Sequence, residues 1–443
     1  MKHGTIGFIR ELRFGDLPRD VVELAQVCVL DLIGTACGGI GTKLSRIIRD
    51  HAAGQFGAGR RSARLMFDAR KVSAVGAALA NGMTIDAFDA HDGHVLTKGH
   101  AGAAVLPAAL AFAERTAALT GQDFLTDIVV GYEVAIRAGI ATHRTCCDYH
   151  TSGSWNALGA VAIGARRLGM DAAQTREALG IAEYHGPRSQ MMRCIDFPTM
   201  VKDGSGWGAM TGVSAALLAA DGFTGAPALV VEDEKVADLW ADLGRRWRLL
   251  EMYFKPYPVC RWAQPAVEAA VSLVRQHGIK AGAIAAIEVA SFHEAVRLAA
   301  RAPRTTEEAQ YSLPYPVAAA VVRGQLAAEE ITESAFADAE IRRLSGGMVL
   351  RERQDFNARF PASRYAQVVF VMRDGTRLES ADTTTRGDPA TPLPPEALPD
   401  KFRALADPLL GRARREKIEA AVNSLAKPTG SAATLVDLLA GPA

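Results

Sequence analysis

From about residue 18 to 265, apolar residues recur at three- and four-residue spacings, and in many stretches Ala, Gly and larger apolar residues cover the whole helix circumference. Such segments bury on all sides and bring helix backbones close together, which predicts a core of packed helices. The pattern predicts helices over Pro18–Ala36, Ala101–Glu114, Phe124–Ala141, Trp155–Leu168 and Gly206–Ala220, with Gly38-Gly39, Gly169 and Gly222 read as C-cap glycines. After residue 265 the period changes. A helix over Ala266–Gln276 leads into the strand-like AIAAIEVASF, and YAQVVFVM and TRLES alternate on either side of an Asp374-Gly375 turn. The Thr- and Pro-rich DTTTRGDPATPLPPEAL reads as a crossover, after which KFRALADPLL and the last forty residues return to helical spacing. The fold class expected is therefore mainly α: a large all-helical domain built from both chain ends (1–265 and 396–443) around a smaller inserted α+β domain (266–395).

Length and charge narrow the function. A chain of 443 residues exceeds one compact core. Lys and Arg total 50 against 49 Asp and Glu, a balance that offers no field for nucleic acid. The charged, interrupted start MKHGTIGFIRELRFG lacks a leader pattern, and no run of about 18 uninterrupted apolar residues follows, so no membrane partner and a cytoplasmic location are expected. The six cysteines (Cys28, Cys37, Cys146, Cys147, Cys194, Cys260) lack cluster or zinc spacing and read as buried free thiols. An iron–sulfur centre is thus not indicated, and no cofactor is expected.

Polar residues concentrate in islands. The densest runs from Asn81 to His100 and holds Asp86, Asp89, His91, Asp92, His94 and His100, read as a loop before the apolar helix AAVLPAALAFAE. Asp and His at this density supply groups for proton transfer; a solvated loop and a metal site from His91, His94 and His100 are the alternatives. His150, in DYHTSGSW, precedes a helix of small residues, where amides and dipole favour a bound carboxylate. Lys202 (VKDGSGWG) and Lys255 (FKPYPVCR) stand in glycine- or proline-bounded settings suited to holding an anion, and Tyr315 lies near the start of the helix after YSLPYP.

The order of these islands resembles the MmgE/PrpD family across nearly the whole chain. The matching pieces are NG-x(6)-D-x-x-D ending in HAG-x-x-VLPAALA, GYEVAIRAG, YHTSGSWNALGA with RRLGMD, VKDG before AALLAADGFTG, KPYPVCR, and AQYSLPYPVAAAVVRG. The resemblance implies the two-domain fold with a cleft where the domains meet, usually a homodimer. It also implies one of the family's activities: 2-methylcitrate dehydratase, cis-aconitate decarboxylase or iminodisuccinate epimerase. By position, Asp89, His100, His150 and Tyr315 take catalytic places, and Lys202, Lys255, Asp92, His91 and Arg261 substrate-binding ones, with no metal.

The departures sit in one loop. Where the family commonly has His-x-Leu-Asp-Phe-Asp-Asp-Thr, this chain has Asp86-Ala-Phe-Asp89-Ala-His91-Asp92-Gly93, and Gln264 replaces a histidine often found after K-x-Y-P. The expectation is a lyase that dehydrates a small hydroxy-polycarboxylate of the 2-methylcitrate type through a carbanion next to a carboxylate. An epimerase or decarboxylase on the same scaffold is the alternative, and a silent binding member or a metal hydrolase stands further off.

Overall fold

The structure, a computed structural model, describes residues 4–59, 62–116 and 118–442. It is mainly α. The elements that shape the site are helices α1 (Arg19–Gly39), α2 (Ala74–Asp86), α3 (Gly102–Ala113), α4 (Gly121–Thr145), α5 (Gly153–Arg167), α6 (Ser205–Ala220), α7 (Gln264–His277), α8 (Pro314–Arg323) and α9 (Ala397–Ser424). With them run strands β1 (Gly93–His94), β2 (Met252–Tyr253), β3 (Ile284–Ser291), β4 (Val349–Glu352), β5 (Ala366–Met372) and β6 (Arg377–Glu379).

Local chemistry starts these helices. The Ser73 hydroxyl accepts from Gly76 N at the head of α2, and the Thr120 hydroxyl from Asp123 N at the head of α4. Arg144 in the last turn of α4 complements its dipole. Helix α4 runs a turn further at its C-terminal end than its apolar spacing predicts, to Thr145. Gly38 and Gly39 are not C-caps as expected; both lie inside α1, where a Cβ on Gly38 would meet the Phe88 ring at 2.6 Å and one on Gly39 the Thr84 carbonyl at 2.0 Å. They let α2 and the loop after it press against α1. The polar island also divides differently: Asn81 to Asp86 form the end of α2, and the loop begins at Ala87.

Two clusters of buried apolar side chains form. One draws on Phe8 to Phe254 and again on Phe402 to Leu439; the other draws on Met191 to Ile195 and Val259 to Phe370. Helix α9 lies along α1, so the C-terminal segment completes the first cluster. By length and composition α1 could cross a bilayer, yet 72% of its apolar window is buried inside the protein. The second cluster is backed by a four-stranded sheet in the order β4-β3-β5-β6, with β3 antiparallel to β5 (Val289 opposite Val368) and parallel to β4. The hairpin β5–β6 turns at Gly375 (φ +88°), as its sequence predicts. Strand β4 goes unanticipated because it is a short, largely exposed edge with no alternation to read.

Two contacts bring distant segments to one place. Helix α6 packs on α2 at a glycine pair, where a Cβ on Gly82 would fall 2.6 Å from Gly206 Cα. Gly93 of β1 pairs with Tyr253 of β2, which sets the polar loop beside the segment carrying Lys255.

Candidate active site

The loop from Ala87 to Ala101 reaches the surface at Leu96, but its aspartates and histidines are not solvated. Asp86, Asp89, His91, Asp92, His94 and His100 are all buried, enclosed between α1, α5, α6 and the Lys255 segment. Burying this many titratable groups is costly unless each finds a partner.

Asp89 is the hub. Lys255 Nζ donates to its Oδ1 at 2.6 Å and to its carbonyl at 3.3 Å. Burial alone would raise the Asp89 carboxyl, but Lys255, then Lys202, His91 and His100 outweigh it and hold the group well below the usual carboxylate range. Asp89 is therefore a fixed anion at any working pH.

Lys202 sits across the cluster on a backbone with φ +50°, in the left-handed region that costs a non-glycine residue of order 1–3 kcal/mol. Its ammonium donates to Gln310 Oε1 at 2.8 Å and lies 4.6 Å from the centre of the Tyr311 ring. Asp203, the next residue, accepts from the Ser152 amide and hydroxyl; burial and then Asp86 push its carboxyl up to about 8.

His100 has the geometry of a base. Its Nδ1 lies 2.5 Å from the Asp92 carbonyl, which only accepts, so Nδ1 carries the proton and Nε2 the lone pair. Its amide donates to Ser152 Oγ at 2.9 Å, and Asn156 Nδ2 donates to its carbonyl at 3.2 Å, so both ends of the residue are fixed. Burial, then His91 and Lys255, depress its pKa well below the ordinary histidine value, leaving the ring neutral near pH 7. His91 packs against it with ring centroids 4.0 Å apart, and His91 Nε2 lies 3.3 Å from Asp86 Oδ1, whose other oxygen accepts from Ser205 N at the head of α6.

Asp92 lies behind this layer. Tyr132 donates to its Oδ2, its Oδ1 has no partner among the described residues, and burial raises the carboxyl to about 7 despite that Tyr132 bond. Gly93, where the family pattern has a threonine, has no room for a side chain: a Cβ would fall 2.4 Å from the Tyr253 hydroxyl and 3.0 Å from His100 Nδ1. The tyrosine fills the space a threonine would take.

The other sequence candidates lie apart from this cluster. His150 is half-buried, its amide facing His143 Nε2 at 3.4 Å and its backbone bridged to Gln190. Tyr315 donates to the Glu330 carbonyl at 2.6 Å and packs edge-on against Phe336. Arg261 pairs with Asp388 at 2.9 Å and donates to the Arg386 carbonyl, tying the crossover segment down, while its guanidinium lies over the Tyr253 ring. None of the contacts of these three reaches Asp89, Lys202 or His100.

A three-histidine metal set does not assemble, because His94 Nε2 turns to Glu251 at 3.2 Å. Asp89, His91 and His100 do offer ligand atoms within 4.8 Å of one another. Lys255 already bonds Asp89 Oδ1, so a cation drawing on that oxygen would have to break the ion pair. Cys28, Cys37, Cys194 and Cys260 are buried as expected, whereas Cys146 is partly buried and Cys147 exposed, beyond the end of α4.

Sequence reasoning passed over Gln310, Tyr132, Ser152 and Asp203. All four stand inside motifs it quoted or beside residues it chose, yet their chemistry is too common to mark them.

Two mainly buried cores, with two ammonium groups, a fixed carboxylate and a neutral imidazole gathered in the polar layer, define a protein equipped to hold a small anion and move a proton. The chain belongs to the MmgE/PrpD family: the family's N-terminal domain matches residues 6–243 and its C-terminal domain residues 257–427. It is similar to the cis-aconitate decarboxylase-like protein oryM of Aspergillus oryzae, 24% identical over 479 aligned positions that cover 98% of this chain and 96% of that one. It is also similar to the cis-aconitate decarboxylases of Aspergillus terreus (24% identical; 96% and 93% covered) and Homo sapiens (25% identical; 98% and 93% covered).

Proposed function

We propose that the protein is a lyase acting on a small polycarboxylate, and that its reaction is decarboxylation of a cis-aconitate-like acid. The observation that carries this reading is the buried grouping of Lys202 and Lys255 with the ionised Asp89 and the neutral, singly bonded His100. A carbanion next to a carboxylate is the shared obstacle in this chemistry, and preorganised cations in a dry site stabilise it most. Lys202 and Lys255 hold substrate carboxylates and the charge that develops. In decarboxylation of a cis-aconitate-like acid the C–C bond between the methylene and its carboxyl group breaks and CO2 leaves; the electron pair becomes a new terminal double bond as the old one shifts charge onto the carbon next to a remaining carboxylate, and that carbon takes one proton drawn from water. His100 Nε2, unprotonated at rest, is the group placed to take that proton from water and pass it on.

Full-length likeness to several decarboxylases supports this reaction over dehydration of a 2-methylcitrate-type acid. Dehydration and epimerisation use the same carbanion, so the test separates all three. Purified protein is incubated in D2O with citrate-like, aconitate-like and aspartate-derived polycarboxylates and followed by proton NMR. Loss of CO2 with a new terminal alkene signal from cis-aconitate is expected; an alkene formed from a hydroxy acid moves the assignment to dehydratase, and solvent exchange with stereoisomer formation moves it to epimerase. No change in any of them rejects the lyase reading. The same reading includes a helical body from both chain ends with an inserted α+β domain, supported by the two apolar clusters. A homodimer is part of it on the strength of family resemblance.

A further inference from the structure

Lys202 is a buried ammonium with no carboxylate in ion-pairing range among the described residues; a neutral amide oxygen, Gln310 Oε1, and the face of Tyr311 are what it meets. The nearby Asp89 is already bonded to Lys255. A charge buried this deeply with no carboxylate bonded to it is costly, and the cost falls when an anion binds it directly. Gln310 Oε1 also accepts from a second strong donor, the Asp89 amide, at 2.7 Å, so one oxygen is held between an ammonium and a backbone N–H. That is the environment a carboxylate oxygen seeks. The Gln310 amide nitrogen donates to the Ala87 carbonyl at 3.2 Å, and its backbone carbonyl accepts from Cys260, so the side chain latches the polar loop to the segment after Lys255. Gln310 also borders a surface cavity of about 640 Å³ whose wall carries Lys43, Arg46 and Arg304 beside Glu307 and Glu333.

We infer that Gln310 is a placeholder for substrate: its side-chain oxygen marks a carboxylate subsite made by Lys202 Nζ and the Asp89 N–H, and an entering carboxylate displaces it. The residue keeps both donors aimed while the site is empty, and its release opens the latch toward that cavity. This rests on the polycarboxylate reading above but adds a residue and a displacement to it.

The test uses propane-1,2,3-tricarboxylate, an unreactive polyacid, titrated calorimetrically into the full-length protein and into variants whose folding is checked by thermal melting. Gln310→Ala, or the milder Gln310→Asn, which is too short to reach both donors, removes an internal competitor and should tighten binding several-fold. Gln310→Glu installs a carboxylate in the subsite and should weaken binding at least tenfold at neutral pH. A residue that merely supports the loop would weaken binding in every variant, and that result, or wild-type affinity in Gln310→Glu, overturns the inference. Should the variants fail to fold, the crystal structure of the wild-type complex decides: a ligand carboxylate oxygen about 3 Å from both Lys202 Nζ and Asp89 N with Gln310 turned away is expected, and Gln310 still in place beside a bound ligand refutes it. Wild-type protein that binds no polycarboxylate brings down the functional reading as well, a result distinct from binding in which the variants break the pattern.

Discussion

Asp89 and Lys255 form a pair almost wholly removed from solvent, so the two residues should not respond independently to mutation. Lys255→Met strands a buried carboxylate and should cost about 3–5 kcal/mol in denaturant unfolding, while the double change with Asp89→Asn should recover most of that loss. His100→Gln should lower turnover by about 10²–10⁴ with the fold intact. Because burial, then His91 and Lys255, depress the His100 pKa, its imidazole NMR resonances should titrate below the ordinary histidine value near 6.5, and a titration at or above that value would show that the ring is not held neutral at rest. Asp92 gives the opposite sign. Its folded pKa, about 7, stands above the ordinary value of 3.8, so the stability tied to its proton is complete below pH 4 and is lost as pH rises toward 7. Thermal melts of Asp92→Asn should therefore gain on wild type between pH 4 and 8.

At the scale of elements, the approach of α2 to α6 sets the distance from Asp86 to the Ser205 amide and the place of the Lys202 turn. Gly206→Val would put a branched side chain against the Leu79 carbonyl and Met83 amide, both within 2.6 Å of the new Cβ. Overpacking there should cost about 1–3 kcal/mol, and turnover should fall further than the lost stability explains. The helices were legible in the sequence because their apolar spacing reflects burial directly: α3, α5, α6 and α7 begin and end within a few residues of expectation. The glycines of α1 were misread, since a glycine that admits a neighbouring helix and one that caps a helix look the same without the neighbour. The site was half legible. Asp89, His100, Lys202 and Lys255 stand in motifs dense enough to notice, while Gln310 acquires its role through two donors more than a hundred residues away in the chain.

Across the molecule, the polar layer draws on residues 86–100, 202–205, 255 and 310, and so on both apolar clusters. A bound polyacid should stabilise the fold as one unit: at a hundred times its Kd it should add about 2.7 kcal/mol and raise the melting temperature in a single transition. Two transitions with one unmoved by ligand would show that the clusters melt separately. The packing of α9 on α1 has a consequence for how the chain is made. Roughly 360 residues separate the two helices, and at a ribosomal pace of about 5–20 residues per second the face of α1 that α9 covers waits on the order of 20–70 s for its cover. During that interval the nascent chain carries an apolar groove open to water, and α9 closes it only once residues 397–424 have been made.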